Sequence, residues 1–243
     1  MIDTFYRSIL KAFSWRFLGL FILGWITYSV TDSLTNVTII AVSYHLAMVF
    51  LYFVHERIWS RVPWGKSAGL FIQMTGMSGS GKSTLAYGVA RRLRMRGIQV
   101  EVLDGDEYRE GLCKDLGFSR KDRNQNIRRL GFVSKVLARN KVISIIAAIN
   151  PYENIRQELN GSYDNVRTVY IKCDLKELRR RDPKGFYYRA FLPEGDPHRI
   201  NNFTGVSDPY EAPLAPDLIV DSGKEEVSTS IQKLEKFILR NIT

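Results

Sequence analysis

The run Gly76-Met77-Ser78-Gly79-Ser80-Gly81-Lys82-Ser83-Thr84 satisfies the pattern G-x-x-x-x-G-K-[ST] at every fixed position. These residue types suit one chemistry, the binding of a nucleotide's phosphates. The glycines let backbone N–H groups turn inward onto phosphate oxygens, at a helix N-terminus that already favours anions. Lys82 can reach the outer phosphates, and Ser83 offers a hydroxyl to Mg²⁺. Further on, Asp104-Gly105-Asp106 supplies two carboxylates. Alone such a triplet is a surface turn. Beside a phosphate-binding loop the pair suits Mg²⁺ ligation and the orientation of an attacking hydroxyl.

A second group of residues could clamp another anion. Arg109 and Arg123 carry the charge, and Phe118 offers a face on which a base could stack. Ser119 with Asp122 resembles a capping box, which predicts a helix starting near Arg120 and puts Arg123 and Asn126 on one helical face. Composition alone reads these arginines as a solvated helix face.

The elements that must hold these groups follow from periodicity. Residues 70–74 read as a buried strand, and residues 84–95 as a helix with Leu85, Val89, Ala90 and Leu93 at helical spacing. Residues 99–103 read as a second strand ending in the acidic triplet, where carboxylates face the ligand crevice of a parallel sheet. Strands are also predicted over 142–149, 167–171 and 218–220, and a last helix over 224–240. The predicted fold is α/β: a P-loop NTPase-type parallel sheet of about five strands with helices on both faces.

Residues 1–66 have a different character. Two apolar runs, taken as spans of about 13–30 and 37–54, flank a short loop without Lys or Arg. Arg7, Lys11 and Arg16 lie outside one end, and Arg57, Arg61 and Lys66 outside the other. Trp15, Trp59 and Trp64 stand where interfacial aromatics belong. The reading is a two-helix transmembrane hairpin with both ends in the cytoplasm; the alternative is a pair of buried helices in a soluble domain. A linker containing Pro63 and Gly65 then leads to a kinase-like domain over 67–243.

Composition sets outer bounds. The chain has 243 residues, 45% apolar, with a net charge of +10, which favours anionic partners. Nucleotides and acidic lipid headgroups fit better than nucleic acid, since no nucleic-acid recognition motif is present. Cys113 and Cys173 match no metal or redox spacing and read as reduced packing residues.

Taken together, the loop 76–84, Asp104-Gly105-Asp106, Arg109, Gly111-Leu112, the run 115–119, Asp122-Arg123, the run 126–129, the run 181–185, Phe203-Thr204-Gly205 and the run 209–213 resemble adenylylsulfate kinase. The resemblance extends from about Gly69 to the C-terminus. It implies transfer of the γ-phosphate of ATP, with Mg²⁺, to the 3′-hydroxyl of adenosine 5′-phosphosulfate. It implies substrate contacts from Arg109, Phe118, Arg123, Asn126, Ile149, Lys184 and Phe203. It further implies catalytic roles for Lys82, Asp104 and Asp106, with Ser83 and Asp106 toward the metal, and leaves a homodimer open. The amino-terminal stretch resembles a family of small predicted membrane domains. Three positions depart from the kinase pattern: Cys113 for Asn, Gln125 for Glu, and Asn150 for Ser. That serine is sometimes assigned as a phosphorylated intermediate, and Asn150 cannot serve, so direct in-line transfer is expected. The segment between Lys184 and Phe203 is longer than usual and is expected to be a mobile lid. A kinase of the same build with another nucleotide-linked acceptor, and a non-catalytic ATP-binding module at a membrane, are the competing readings.

Overall fold

The computed structural model describes residues 5–29, 34–62, 69–163 and 165–242. It divides into two compact units, Met1–Lys66 and Ser67–Thr243.

The first unit is a pair of helices, α1 (Phe5–Ser29) and α2 (Leu34–Arg61). They meet through polar groups near their outer ends. The Arg7 guanidinium donates to the Val62 carbonyl at 2.8 Å and to the Trp59 carbonyl, closing the C-terminal turn of α2. Lys11 pairs with Glu56 at 3.1 Å, and Ser14 bonds His55 at 2.9 Å. Deeper in, a Cβ on Gly19 would lie 2.9 Å from the Met48 methyl, so the small residue permits close helix contact. Phe13, Phe17, Phe21, Leu46, Val49, Phe50 and Phe53 are exposed.

The expected spans lie along these longer helices up to residue 29 and over 37–54, and among the described residues no helix is long and apolar enough to cross a membrane. What the described residues show is a helix pair with outward apolar side chains. Residue 30 of the first expected span, residues 31–33 of the expected loop, and residues 63–68 of the linker with Trp64 lie outside the described residues.

The second unit alternates strand and helix. In order it comprises β1 (Phe71–Thr75), α3 (Lys82–Met95), β2 (Val100–Asp104), α4 (Glu107–Glu110), α5 (Arg120–Arg139), β3 (Ile143–Ala147) and α6 (Glu153–Ser162). Then come β4 (Val166–Lys172), α7 (Leu175–Arg181), α8 (Phe186–Ala190), β5 (Leu218–Asp221) and α9 (Val227–Asn241). The strands form one parallel sheet in the order β2-β3-β1-β4-β5. Such a sheet is buried on both faces, and β1 and β3 are buried at every residue.

Alternation along β1 feeds two cores. Ile72 and Met74 join Leu85, Val89, Leu93, Leu234 and Ile238 under α3 and α9. Phe71 joins Leu103, Ile127, Leu130, Ile155 and Leu159 under α5 and α6. The predicted start of α5 is confirmed: Ser119 Oγ accepts from the Asp122 amide at 3.1 Å, which satisfies one of the open N–H groups. Crossovers in a sheet of this order diverge beside β1, so the loop after β1 opens into a crevice at the carboxyl ends of the strands.

Leu93 is wholly buried in the core under α3. Leu93→Ala is expected to destabilise the protein by about 2–5 kcal/mol. Urea unfolding followed by circular dichroism checks this, and an unchanged midpoint would contradict the assigned packing.

Candidate active site

The loop between β1 and α3 wraps an anion-sized space. Gly79 and Gly81 take φ of 73° and 92°, the left-handed region that side chains resist, and Gly81 directly precedes α3. The first N–H groups of α3 therefore point into the crevice. Lys82 folds back over the loop. Its ammonium donates to the Gly76 carbonyl at 3.0 Å and the Met77 carbonyl at 2.8 Å. Burial lowers its pKa to about 8, against the opposing pull of Asp106 and Asp104.

Ser83 Oγ donates to Asp104 Oδ2 at 2.5 Å, and Asp104 Oδ1 accepts from the Asp106 amide at 2.9 Å. The carboxylate that meets Ser83 is thus that of Asp104. Asp106 projects outward and pairs with Lys184. A hydroxyl and a carboxylate form a hard-oxygen donor set, which suits Mg²⁺ when phosphates and water complete the shell. Among the described residues, no cluster of three His, Cys, Asp or Glu side chains offers a different metal site.

Across the crevice, two guanidinium groups approach the Phe118 ring. Arg109 Cζ is 4.5 Å and Arg123 Cζ 5.6 Å from its ring centroid. Phe118 is 60% exposed and lines the cavity, so part of it is accessible to a ligand. Arg123 is held by the Phe118 carbonyl at 2.9 Å and the Asn202 carbonyl at 2.9 Å; Arg109 by the Gly117 carbonyl at 2.9 Å. Asn126 is buried, and its Oδ1 has no partner among the described residues. Phe203 packs edge-on against Tyr187, centroids 4.9 Å apart.

One cavity of about 740 Å³ gathers these groups. Lys82, Ser83, Thr84, Asp104, Asp106, Arg109, Phe118, Arg123, Asn126, Ile149, Lys184 and Phe203 all line it, with Ser78, Gly79 and Gly81. Gly76, Met77 and Ser80 stand behind the lining: Ser80 is buried, and Met77 packs against the cluster around Tyr187.

Several contributors carry no motif. Tyr187 donates to the Ser78 carbonyl at 2.9 Å and so ties the lid segment to the phosphate loop. Asp182 caps α8, accepting from the amides of Tyr187 and Tyr188. Asn202 reaches the Phe118 carbonyl at 2.8 Å. Behind the cavity, Arg156 is almost fully buried and donates to the carbonyls of Asn150 at 2.7 Å and Glu211 at 2.6 Å. Asn150 has a left-handed φ of 45°, and its side-chain amide donates to Gln73 Oε1 at 3.1 Å. Cys113 is buried, and burial pushes its thiol pKa up. The sequence signals were weak: three aromatic residues after Gly185, an Asn-Asn pair at 201–202, and an arginine on an otherwise amphipathic helix.

A phosphate loop before a helix, an acidic strand end beside it, and a second anion site across the crevice define a P-loop kinase. Residues 68–221 match the family described as adenylylsulphate kinase, and the chain belongs to that family. An adenylyl-sulfate kinase of Picosynechococcus sp. is 44% identical over 168 residues, spanning 69% of this chain and 92% of that protein. A probable bifunctional SAT/APS kinase of Sorangium cellulosum is 46% identical over 167 residues; the match covers 69% of this chain but only 28% of that protein. Among solved structures, the APS kinase CysC of Mycobacterium tuberculosis, in complex with AMPPNP and APS, superposes with a TM-score of 0.65 at 36% identity. That match covers 71% of this chain and 99% of the other. Residues 9–60 match a second family, described as predicted membrane protein (DUF2061).

The Lys82 geometry makes a pH prediction. Below about pH 8 the buried amine of the free protein keeps its proton and attracts phosphate. Above it the charge is lost. ATP affinity is expected to hold from pH 6.5 to about 8, then to weaken by up to about tenfold per unit. Lys82→Met should bind more weakly and lose the dependence. Isothermal titration reads both, and an unchanged wild-type affinity up to pH 9.5 would contradict the assignment.

Proposed function

We propose that the chain phosphorylates the 3′-hydroxyl of adenosine 5′-phosphosulfate with ATP, and that the cavity residues divide the work as follows. The loop 76–84 and Lys82 hold the ATP phosphates. Ser83 and Asp104 would hold Mg²⁺, which supplies charge neutralisation at the β- and γ-phosphates. Arg109, Phe118, Arg123 and Asn126 receive the acceptor nucleotide. Asp106 orients the 3′-hydroxyl and takes its proton as the oxygen bonds to the γ-phosphorus. The bond from that phosphorus to the β–γ bridging oxygen breaks, and ADP leaves. Lys184 pairs with Asp106 in the free protein and, once the acceptor is bound, is placed to balance charge on the transferring group.

The observation that carries this reading is the pair of arginines beside the exposed Phe118 in the same cavity as Lys82. A base stacked on Phe118 with an anion between the guanidiniums is what an adenylyl group bearing a phosphosulfate would need. The intact Lys82, Ser83 and Asp104 cluster argues against a module that binds ATP without transfer. An acceptor other than adenylylsulfate has support in Cys113, Asn150 and the extended lid.

For the amino-terminal unit, the proposal is attachment to a membrane by two helices, with the kinase unit on the cytoplasmic side. Support comes from the match to a predicted membrane protein family, from the outward apolar side chains, and from basic residues at both outer ends.

Two variants separate the roles. Asp106→Asn should keep nucleotide affinity within a few fold and lower kcat by at least about 100-fold. Arg123→Ala should raise KM for the sulfated nucleotide far more than for ATP. Steady-state kinetics with both substrates varied decides. Near-normal turnover in Asp106→Asn, or equal KM effects from Arg123→Ala, would refute the division of roles.

A further inference from the structure

The sheet has a reactive edge and a basic edge. All five strands are parallel, so their first residues share one edge and the phosphate cavity sits at the other. Helices α3, α5 and α9 all end on the first edge. Arg91, Arg92, Arg94 and Arg96 close α3; Arg139 closes α5; Lys236 and Arg240 lie in the last turns of α9.

Side-chain contacts join these ends into a single face. Arg94 donates to the carbonyl of Val100, the first residue of β2, at 2.8 Å. Arg92 and Arg96 reach across to Glu235 of α9 at 3.2 and 2.8 Å. Arg167, at the start of β4, donates to Asn241 Oδ1 at 2.7 Å. Gly69 presses on the end of α5, where an added Cβ would lie 1.8 Å from the Ala138 carbonyl oxygen. The chain therefore enters β1 within this face.

The acids among the described residues of this edge are Glu101, Asp217 and Glu235. Each is matched by an arginine: Arg94 at 3.6 Å, Arg167 at 3.9 Å, and the pair on Glu235. Arg91, Arg139 and Lys236 add to that balance, so among the described residues the face is net positive. A groove of about 450 Å³ opens between Arg96, Lys236 and Arg240, and Met95 beside it is 73% exposed.

We propose that this basic edge lies on an anionic phospholipid surface, with Arg91, Arg139 and Lys236 among its contacts and the phosphate cavity turned toward the water. Lipid is the occupant because the bases spread over three helix ends on a broad edge, with no helix presented to a nucleic-acid groove. The same chain also carries a match to a predicted membrane protein family, and it enters β1 inside the face. The proposal rests on the membrane reading of the amino-terminal unit for the presence of lipid nearby. Near an anionic leaflet each basic group strengthens attachment roughly five-fold, and salt weakens it.

The test uses the full chain, wild type and Arg91→Glu/Arg139→Glu/Lys236→Glu, none of which touches the cavity. Each is mixed with vesicles of phosphatidylcholine alone or with about 30% phosphatidylglycerol. Sedimentation reads attachment, and amide hydrogen exchange reads the face through peptides covering 90–97, 136–142 and 234–241. Exchange in the wild type should slow at least three-fold or so on anionic vesicles only, and recover in about 0.5 M NaCl. The triple variant should still sediment and keep kcat, but show no slowing. Sedimentation with both vesicle types and equal exchange on each would overturn the basic-edge proposal while leaving the helix-pair attachment standing. Salt-sensitive binding to anionic vesicles alone, with the face protected, would support the edge and refute the attachment. Binding to neither overturns both. Stronger protection of the same peptides by duplex DNA at equal charge would overturn the lipid assignment.

Discussion

Lys82 is an ammonium group buried to 7% exposure, held between the carbonyls of its own loop and two nearby carboxylates. A buried cation is costly without a compensating anion. The loop is therefore built for a ligand that brings negative charge. The left-handed glycines expose N–H groups, α3 points its N-terminus at the same space, and Asp104 is withdrawn onto Ser83. Everything else in the second unit positions this loop or faces it with a second substrate.

The loop needs a rigid backing, and the backing is polar where a parallel sheet is usually apolar. Gln73 of β1 donates to Asn160 Oδ1 at 2.7 Å and Thr168 Oγ1 at 3.0 Å, and accepts from Asn150. Thr75 bonds the Asn150 carbonyl at 2.9 Å and Tyr210 at 2.9 Å. Arg156 closes the network through Glu153 at 2.6 Å and the Glu211 carbonyl. A network that satisfies most of its members fixes one arrangement, because an unpaired buried polar group is expensive. It ties β1, α6 and the segment around Tyr210 to the turn at Asn150, and that turn lines the cavity.

Much of this was legible in the chain. The phosphate loop, its flanking strand and helix, the Ser119 cap and the acidic end of β2 are local features, set by glycine, capping and period. The strands fell within a few residues of their observed places. What depends on distant residues was not legible. Nothing near Ser83 says that Asp104 will meet it. Tyr187 and Asn202 enter the site from a segment whose sequence has no period. The Arg156 network joins residues far apart in the chain. In the amino-terminal unit, hydropathy placed two helices but missed the seam of Lys11, Ser14, His55 and Glu56, since pairing across two helices leaves no trace in either one.

The central claim is that one cavity brings ATP to the 3′-hydroxyl of a sulfated adenosine nucleotide. The direct measurement is phosphate transfer from γ-labelled ATP, in the presence of Mg²⁺, to a panel of adenosine nucleotides, with the site of phosphorylation read by ³¹P NMR. The account predicts that adenosine 5′-phosphosulfate is the fastest acceptor and that its product carries the new phosphate on the 3′-oxygen. Faster transfer to another nucleotide, or ATP binding with no transfer to any, would contradict it.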